Sequence, residues 1–228
     1  MGSEKSCVIV FVKAPETEKV KTRLAETVGA EAAMQLYRCF AGDVLEMLTA
    51  GNFNVRIFYY PEEAVGTVKR WLGKSYEYFE QKGEDLGQKM AGAFLETFSY
   101  GYERAVLIGT DLPDLPGSII SEALERLAKN CNVVIGPSTD GGYYLIGFNA
   151  KSLNPDVFTD ISWGGSDVFH ITLDRIRELG ADYHILPRWR DIDLHDDLLC
   201  LAGDLLEGKR KYALNTRSYL KKLGYLPP

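Results

Sequence analysis

The sequence predicts an α/β fold, a three-layer α/β/α sandwich around a mostly parallel sheet. Three observations carry this. Short apolar runs rich in β-branched residues alternate with stretches of helical periodicity along the chain. Two runs, 7–12 and 105–109, are apolar throughout, the pattern of strands covered on both faces. The second run passes through Gly109-Thr110-Asp111-Leu112 to Pro113, and a residue without a backbone donor ends strand pairing.

In order, residues 7–12 read as a first central strand and 13–23 as a charged loop. Over 30–48, apolar residues recur at Ala33, Leu36, Tyr37, Phe40, Val44, Met47 and Leu48, which is helical spacing, and Gly51-Asn52 stops it. Residues 55–60 form a second strand closed by Pro61, 62–72 a helix, and 76–80 a short strand. A helix starts at Gly83-Glu84-Asp85 and runs through Met90, Phe94 and Phe98. After the 105–109 strand come a helix at 117–129 and strands at 133–136 and 143–148. A helix at 165–179, a strand at 183–186 and a helical tail from Asp196 complete the order. Right-handed crossovers connect such units.

Nothing reads as an internal repeat or a long linker, so residues 1–228 are expected to form one domain. Apolar content of 46% supports a full core. With 26 basic and 32 acidic residues the net charge is −6, which argues against a nucleic-acid binder. Cys7, Cys39, Cys131 and Cys200 have no metal-ligand or CxxC spacing. The amino-terminal Met-Gly-Ser-Glu-Lys-Ser lacks an apolar signal region, and no run approaches the ~20 residues of a membrane span. A cytoplasmic protein with reduced thiols is expected.

Six segments offer chemistry. Lys13, Lys21, Thr22 and Arg23 follow the first strand, where open α/β sheets bind ligands; they suit phosphates, or form a solvated charged loop. Asp111 sits at the carboxyl end of a central strand, placed to hold a divalent cation against phosphate oxygens. Asp114, before Pro116-Gly117, suits a turn or helix cap. Asp140-Gly141-Gly142-Tyr143 reads as a hairpin turn, a close-approach ligand loop, or both. Asp191 and Asp193 fall on one side of an extended segment, and either completes a cation site with Asp111, while His195 is a candidate neighbour. Asp85 is a helix cap or a ligand contact, and Trp163, in the Ile161-Ser162-Trp163-Gly164-Gly165 turn, a lid or a packed indole. A Walker lysine loop, a nucleophile elbow and a GxGxxG after the first strand are all missing, which weakens P-loop, hydrolase and dehydrogenase readings.

The combination of KAP, VKTRL, GEDLGQKM, LIGTDLPDLP, VIGPSTDGGYYLIGF and a late DID, over roughly residues 7–200, resembles the bacterial and archaeal DUF2064 proteins. These are also called nucleotide-diphospho-sugar transferase-like or "transferase 1" proteins. The resemblance implies the GT-A fold, which is Rossmann-like, and kinship with 2-phospholactate guanylyltransferases, whose lysine-rich loop ends in a KxRL pattern like Lys21-Thr22-Arg23-Leu24. One departure is that Thr17 and Glu18 stand where the family usually has Pro-Gly, which removes a flexible approach point and adds negative charge near the phosphates the resemblance implies.

The expected activity is a metal-dependent glycosyltransferase with a nucleotide-diphospho-sugar donor and a small-molecule acceptor. The alternatives are a nucleotidylyltransferase releasing pyrophosphate and a non-catalytic nucleotide-binding protein. In the first reading Lys13, Lys21, Thr22, Arg23 and Asp85 bind donor, and Asp111 and Asp140 are catalytic. Asp111 and Asp193 hold Mg2+ or Mn2+, and Gly141, Gly142, Tyr143 and Trp163 shape the acceptor side.

Overall fold

A computed structural model describes residues 5–16, 19–129, 131–210 and 212–227. Thr17 and Glu18, the departure from the family pattern, lie outside them. The described residues form one seven-stranded sheet. Its strands are β1 (Ser6–Lys13), β2 (Val55–Tyr60), β3 (Glu77–Glu80), β4 (Arg104–Ile108), β5 (Val133–Pro137), β6 (Tyr143–Asn149) and β7 (Tyr183–Ile185). Their order is β3-β2-β1-β4-β6-β5-β7. All neighbouring pairs are parallel except those made by β6, which runs antiparallel to β4 and β5. The antiparallel strand follows from the Asp140-Gly141 turn, which folds the chain straight back.

The helices are α1 (Thr22–Val28), α2 (Ala30–Ala50), α3 (Val65–Leu72), α4 (Leu86–Ser99), α5 (Gly117–Ala128), α6 (Val168–Glu178), α7 (His195–Leu206) and α8 (Leu214–Lys222). They cover both faces because successive strand residues point to opposite sides. Val8, Val10 and Val12 pack towards Val44 and Leu48 of α2, Val68 of α3 and Ile120 of α5. Cys7 and Ile9 share the opposite core with Met90 and Phe94 of α4 and Leu173 of α6. A third cluster joins Leu24, Leu36 and Phe40 to Leu198 and Leu201 of α7 and Leu220 of α8. Buried Asp43 pins this layer: it accepts from the backbone of Asn215 and Thr216 and from the Thr216 hydroxyl, at 2.8, 2.9 and 2.5 Å.

Three local differences from the sequence reading have physical causes. The expected 62–72 helix divides into a 3-10 turn at Glu62–Ala64 and α3. The charged loop after β1 is shorter than expected, because Thr22 already opens α1. The sixth helix starts at Val168, after the Gly164-Gly165 turn. No helix among the described residues is long and apolar enough to cross a membrane.

This topology fixes where a ligand can bind. The chain builds outward through β1, β2 and β3, then returns to place β4 on the other side of β1. That reversal opens a crevice at the carboxyl ends of β1 and β4. Val10 lies opposite Ile108, so Lys13 and Asp111, each three residues further on, leave the sheet at the same level.

Candidate active site

A cavity of about 1000 Å3 occupies that crevice. Lys13, Lys21, Thr22 and Arg23 line one side, and Asp111, Asp140, Asp191 and Asp193 meet them from later segments. Gly142, Tyr143 and Trp163 close the far side. Residues up to 186 positions apart in the chain, Phe11 and Asp197, thus share one hollow.

Lys21 is the centre of the charge arrangement. It is left-handed, at φ 50° and ψ 42°, directly before α1, a conformation unfavourable for a residue with a side chain. Its side chain is only 3% exposed, and Nζ lies 2.7 Å from Asp111 Oδ1 and 2.6 Å from Asp193 Oδ1. The Phe40 ring sits 5.8 Å beneath it. Burial works against the ammonium, but Asp111 and Asp193 outweigh it and hold the group above the ordinary lysine value. The backbone supports the pair: Ile192 N donates to Asp111 O at 3.0 Å, and Asp197 Oδ2 accepts from Asp193 N and Leu194 N at the start of α7.

Asp191 is the most perturbed acid of the basin. Burial, then the negative charges of Asp111, Asp140 and Asp193, push its carboxyl up to about 8, with Lys21 opposing. The basin therefore carries more negative charge than one lysine offsets. Asp140 accepts from the Ser138 hydroxyl and from Gly142 N, the latter at 3.0 Å, so the Asp-Gly-Gly segment is a real turn. Gly141, at φ +95°, has no room for a side chain, since a Cβ would lie 1.8 Å from Ser166 O. Its own carbonyl accepts from Phe169 N, docking the turn on α6. Gly141 is thus a packing residue of the loop and does not line the cavity.

Asp85 also stays out of the lining: its Oδ1 accepts from Gln88 N at 2.8 Å and caps α4. Trp163 is packed as well as placed at the cavity, with its ring edge-on to Tyr143 at 6.5 Å. His195 pairs with the Tyr225 hydroxyl at 2.9 Å.

Asp114 departs from the expected helix cap. Pro116 precedes α5, and the buried Asp114 carboxylate instead accepts from Trp189 Nε1 at 3.1 Å and pairs with Arg210 Nε at 3.0 Å. The Arg210 guanidinium also stacks 4.2 Å over the Trp189 ring. Tyr37 is a second site feature the sequence hides in a core helical stripe. Its hydroxyl accepts from Lys13 N at 2.8 Å, and burial, then Asp111, push it up to about 12.

Among the described residues, no three His, Cys, Asp or Glu side chains are arranged to hold a metal ion. The donor chemistry nonetheless suits a hard divalent cation, because Mg2+ commonly takes one or two carboxylates and completes its shell with substrate phosphates. Asp111, Asp191 and Asp193 offer oxygens of the kind such an ion takes, and the Lys21 ammonium now pairs with two of the three carboxylates.

A seven-stranded α/β/α sandwich with a charged hollow at the β1–β4 switch defines a GT-A superfamily member. The family model described as "Uncharacterized protein conserved in bacteria (DUF2064)" matches residues 44–165, and the chain belongs to that family. A solved structure of a provisionally assigned nucleotide-diphospho-sugar transferase from Desulfovibrio desulfuricans G20 is 39% identical, with a TM-score of 0.89, over 98% of this chain and 96% of that one. The 2-phospho-L-lactate guanylyltransferase of Methanocaldococcus jannaschii is 26% identical over 219 residues, 94% of this chain and 88% of the relative. A cytidylyltransferase from Leptospira borgpetersenii, at 15% identity and a TM-score of 0.58 over 96% and 95% of the two chains, shares the fold.

Proposed function

We propose that the protein is a nucleotidylyltransferase. It binds a nucleoside triphosphate with its phosphates over the β1 loop, joins the nucleotidyl group to a small acceptor and releases pyrophosphate. The observation that carries this is the Lys21 ammonium, held by Asp111 and Asp193 beside Lys13 and Arg23 in one cavity. It is a buried cation ringed by carboxylates, with two exposed cations beside it, suited to a polyphosphate that arrives with a divalent cation. The choice of a nucleotidyl over a glycosyl group is supported by the guanylyltransferase likeness, which spans 94% of the chain. The sugar-nucleotide donor expected from the sequence is the weaker reading.

In the reaction an acceptor oxygen attacks the α-phosphorus and the bond to the β-phosphate breaks. Both electrons of that bond leave on pyrophosphate. Lys13, Lys21 and Arg23 stabilise the charge growing on the departing group, an electrostatic role that needs no covalent intermediate. Asp111 and Asp193 would hold Mg2+ or Mn2+, which supplies charge neutralisation at the phosphates. Asp140 orients the turn facing the acceptor. Tyr37 is a positioning residue: its hydroxyl fixes the backbone of Lys13.

The test is a titration of GTP, CTP, UTP, ATP, UDP-glucose and GDP-mannose with Mg2+, followed by identification of the released product with phosphorylated hydroxy acids as acceptors. A triphosphate should bind, and Lys21→Met should weaken it at least ~10-fold, the loss of one charge-assisted contact. Nucleoside diphosphate released from a nucleotide sugar would overturn the assignment.

A further inference from the structure

One stretch of the chain borders the cavity with little to tie it to the framework. Residues 159–167 join the 3-10 turn Pro155–Phe158 to α6, and Trp163, Gly164, Gly165 and Ser166 line the cavity. Buried Ile161 fixes the near end, and Asp167, directly before α6, fixes the far end. Asp160 adds an ion pair with Arg175 at 3.2 Å, in which the carboxylate is 84% exposed. Between these anchors, residues 162–166 make one backbone hydrogen bond among the described residues. It is internal: Gly165 N donates to Ser162 O at 3.3 Å. Ser162, Gly164, Gly165 and Ser166 are exposed, and Gly164 is left-handed at φ 96°. A segment with few buried contacts and few backbone bonds opens at low cost.

Trp163 holds this strap down. Its indole meets Tyr143 edge to face at 6.5 Å and lies over Gly87 of α4, where a Cβ would come within 2.8 Å of Cζ2. The seat is incomplete, because Trp163 Nε1 is buried with no hydrogen-bond partner among the described residues. A buried donor without an acceptor loses its hydration and gains nothing in return. Apolar packing therefore favours the seated indole, and the stranded N–H opposes it. Lifting the indole reverses both effects. Opposing effects of this kind leave two states close in free energy.

We propose that residues 162–166 are a lid over the cavity and that Trp163 is its latch. The seated state is the one seen here. In the released state the Trp163 N–H meets water and ligands enter and leave. A bound polyphosphate favours the seated state, because its oxygens accept from the strap's uncommitted backbone N–H groups at Gly164 and Ser166. The seated lid keeps water from competing with the acceptor for the α-phosphorus. For the identity of the occupant, the lid rests on the nucleotidylyltransferase reading.

The test is fluorine NMR of the full chain labelled with 5-fluorotryptophan, with the Trp163 line assigned by its loss in Trp163→Phe. In the free chain this line should be broadened by exchange on the microsecond-to-millisecond scale. Inorganic pyrophosphate with Mg2+, its binding followed separately by calorimetry, should cut that broadening at least ~twofold. Gly165→Ala places a Cβ at an ordinary 3.4 Å from Ser162 O and restricts the released strap. It should lower the released population about two- to fivefold. If that variant does not fold, the two wild-type measurements decide. A sharp Trp163 line in the free chain overturns the lid. If pyrophosphate binds and the broadening is unchanged, the lid falls while the nucleotide reading stands. If the line exchanges and neither pyrophosphate nor GTP binds, the nucleotide reading falls and the two-state strap stands.

Discussion

At the scale of single residues, Lys21 decides how the basin behaves. Two half-exposed carboxylates share one buried ammonium, and the lysine accepts a left-handed backbone to reach them. Methionine keeps most of the packing over Phe40 and removes the charge. Lys21→Met should then lower stability by roughly 1–3 kcal/mol, less than for a wholly buried pair because water reaches both acids. The same change leaves Asp111, Asp191 and Asp193 without their resident cation. In the absence of nucleotide the variant should bind Mn2+ at least severalfold more tightly than the wild type, read by electron paramagnetic resonance. Equal Mn2+ affinity would mean that the ammonium and a metal do not compete for the same carboxylates.

At the scale of elements, the site loops are held from behind. The turn after β4 is tied through Asp114 to Trp189, 75 residues later, and through Asp114 to Arg210 beyond α7. Trp189 in turn donates its backbone N–H to Pro137 O, so the segment carrying Asp191 and Asp193 is laid along the end of β5. Arg210→Ala takes a donor from a carboxylate that is only 7% exposed. The expected cost is about 1–2 kcal/mol, moderated by the indole that remains, with the urea midpoint lowered and the slope unchanged. Because Asp111 begins this turn, nucleotide affinity should fall as well. Stability lost with affinity intact would make the clamp purely structural.

This clamp also marks where sequence reading stops. The buried strands were legible because parallel strands covered on both faces are continuous apolar runs, and Asp111 was legible because a strand followed by a proline turn delivers its side chain to the crevice. The Asp140-Gly141 turn announced its hairpin. The Asp114 partners carried no local signal: an indole and a guanidinium far along the chain have no spacing relation to the acid they bind. Tyr37 read as one more member of a helical apolar stripe, and only the packing of α2 beside β1 brings its hydroxyl to Lys13. Gly141 looked like a ligand contact, whereas its missing Cβ makes room for Ser166.

At the scale of the whole molecule, buried carboxyl groups set the pH response of the fold. Asp191 is pushed up to about 8 by burial and its acidic neighbours. Asp114 and Asp43 are also raised, chiefly by burial, although each accepts hydrogen bonds that oppose the shift. In the unfolded chain such groups titrate near ~4. Above that value the unfolded chain has released these protons while the folded protein still holds them, so stability declines as pH rises. For Asp191 the contribution is complete below the unfolded value and is lost as pH climbs through about 8. Asp191→Asn cannot ionise and should remove this part of the decline. Thermal unfolding between pH 5.5 and 8.5, without nucleotide or divalent cation, should show the wild type losing more than the variant. A divergence of ~1 kcal/mol would appear as roughly 2–4 °C in Tm for a chain of this length. Parallel curves would mean that Asp191 is already ionised in the folded protein at pH 5.5, and that the basin tolerates its full negative charge with Lys21 as the buried cation beside it.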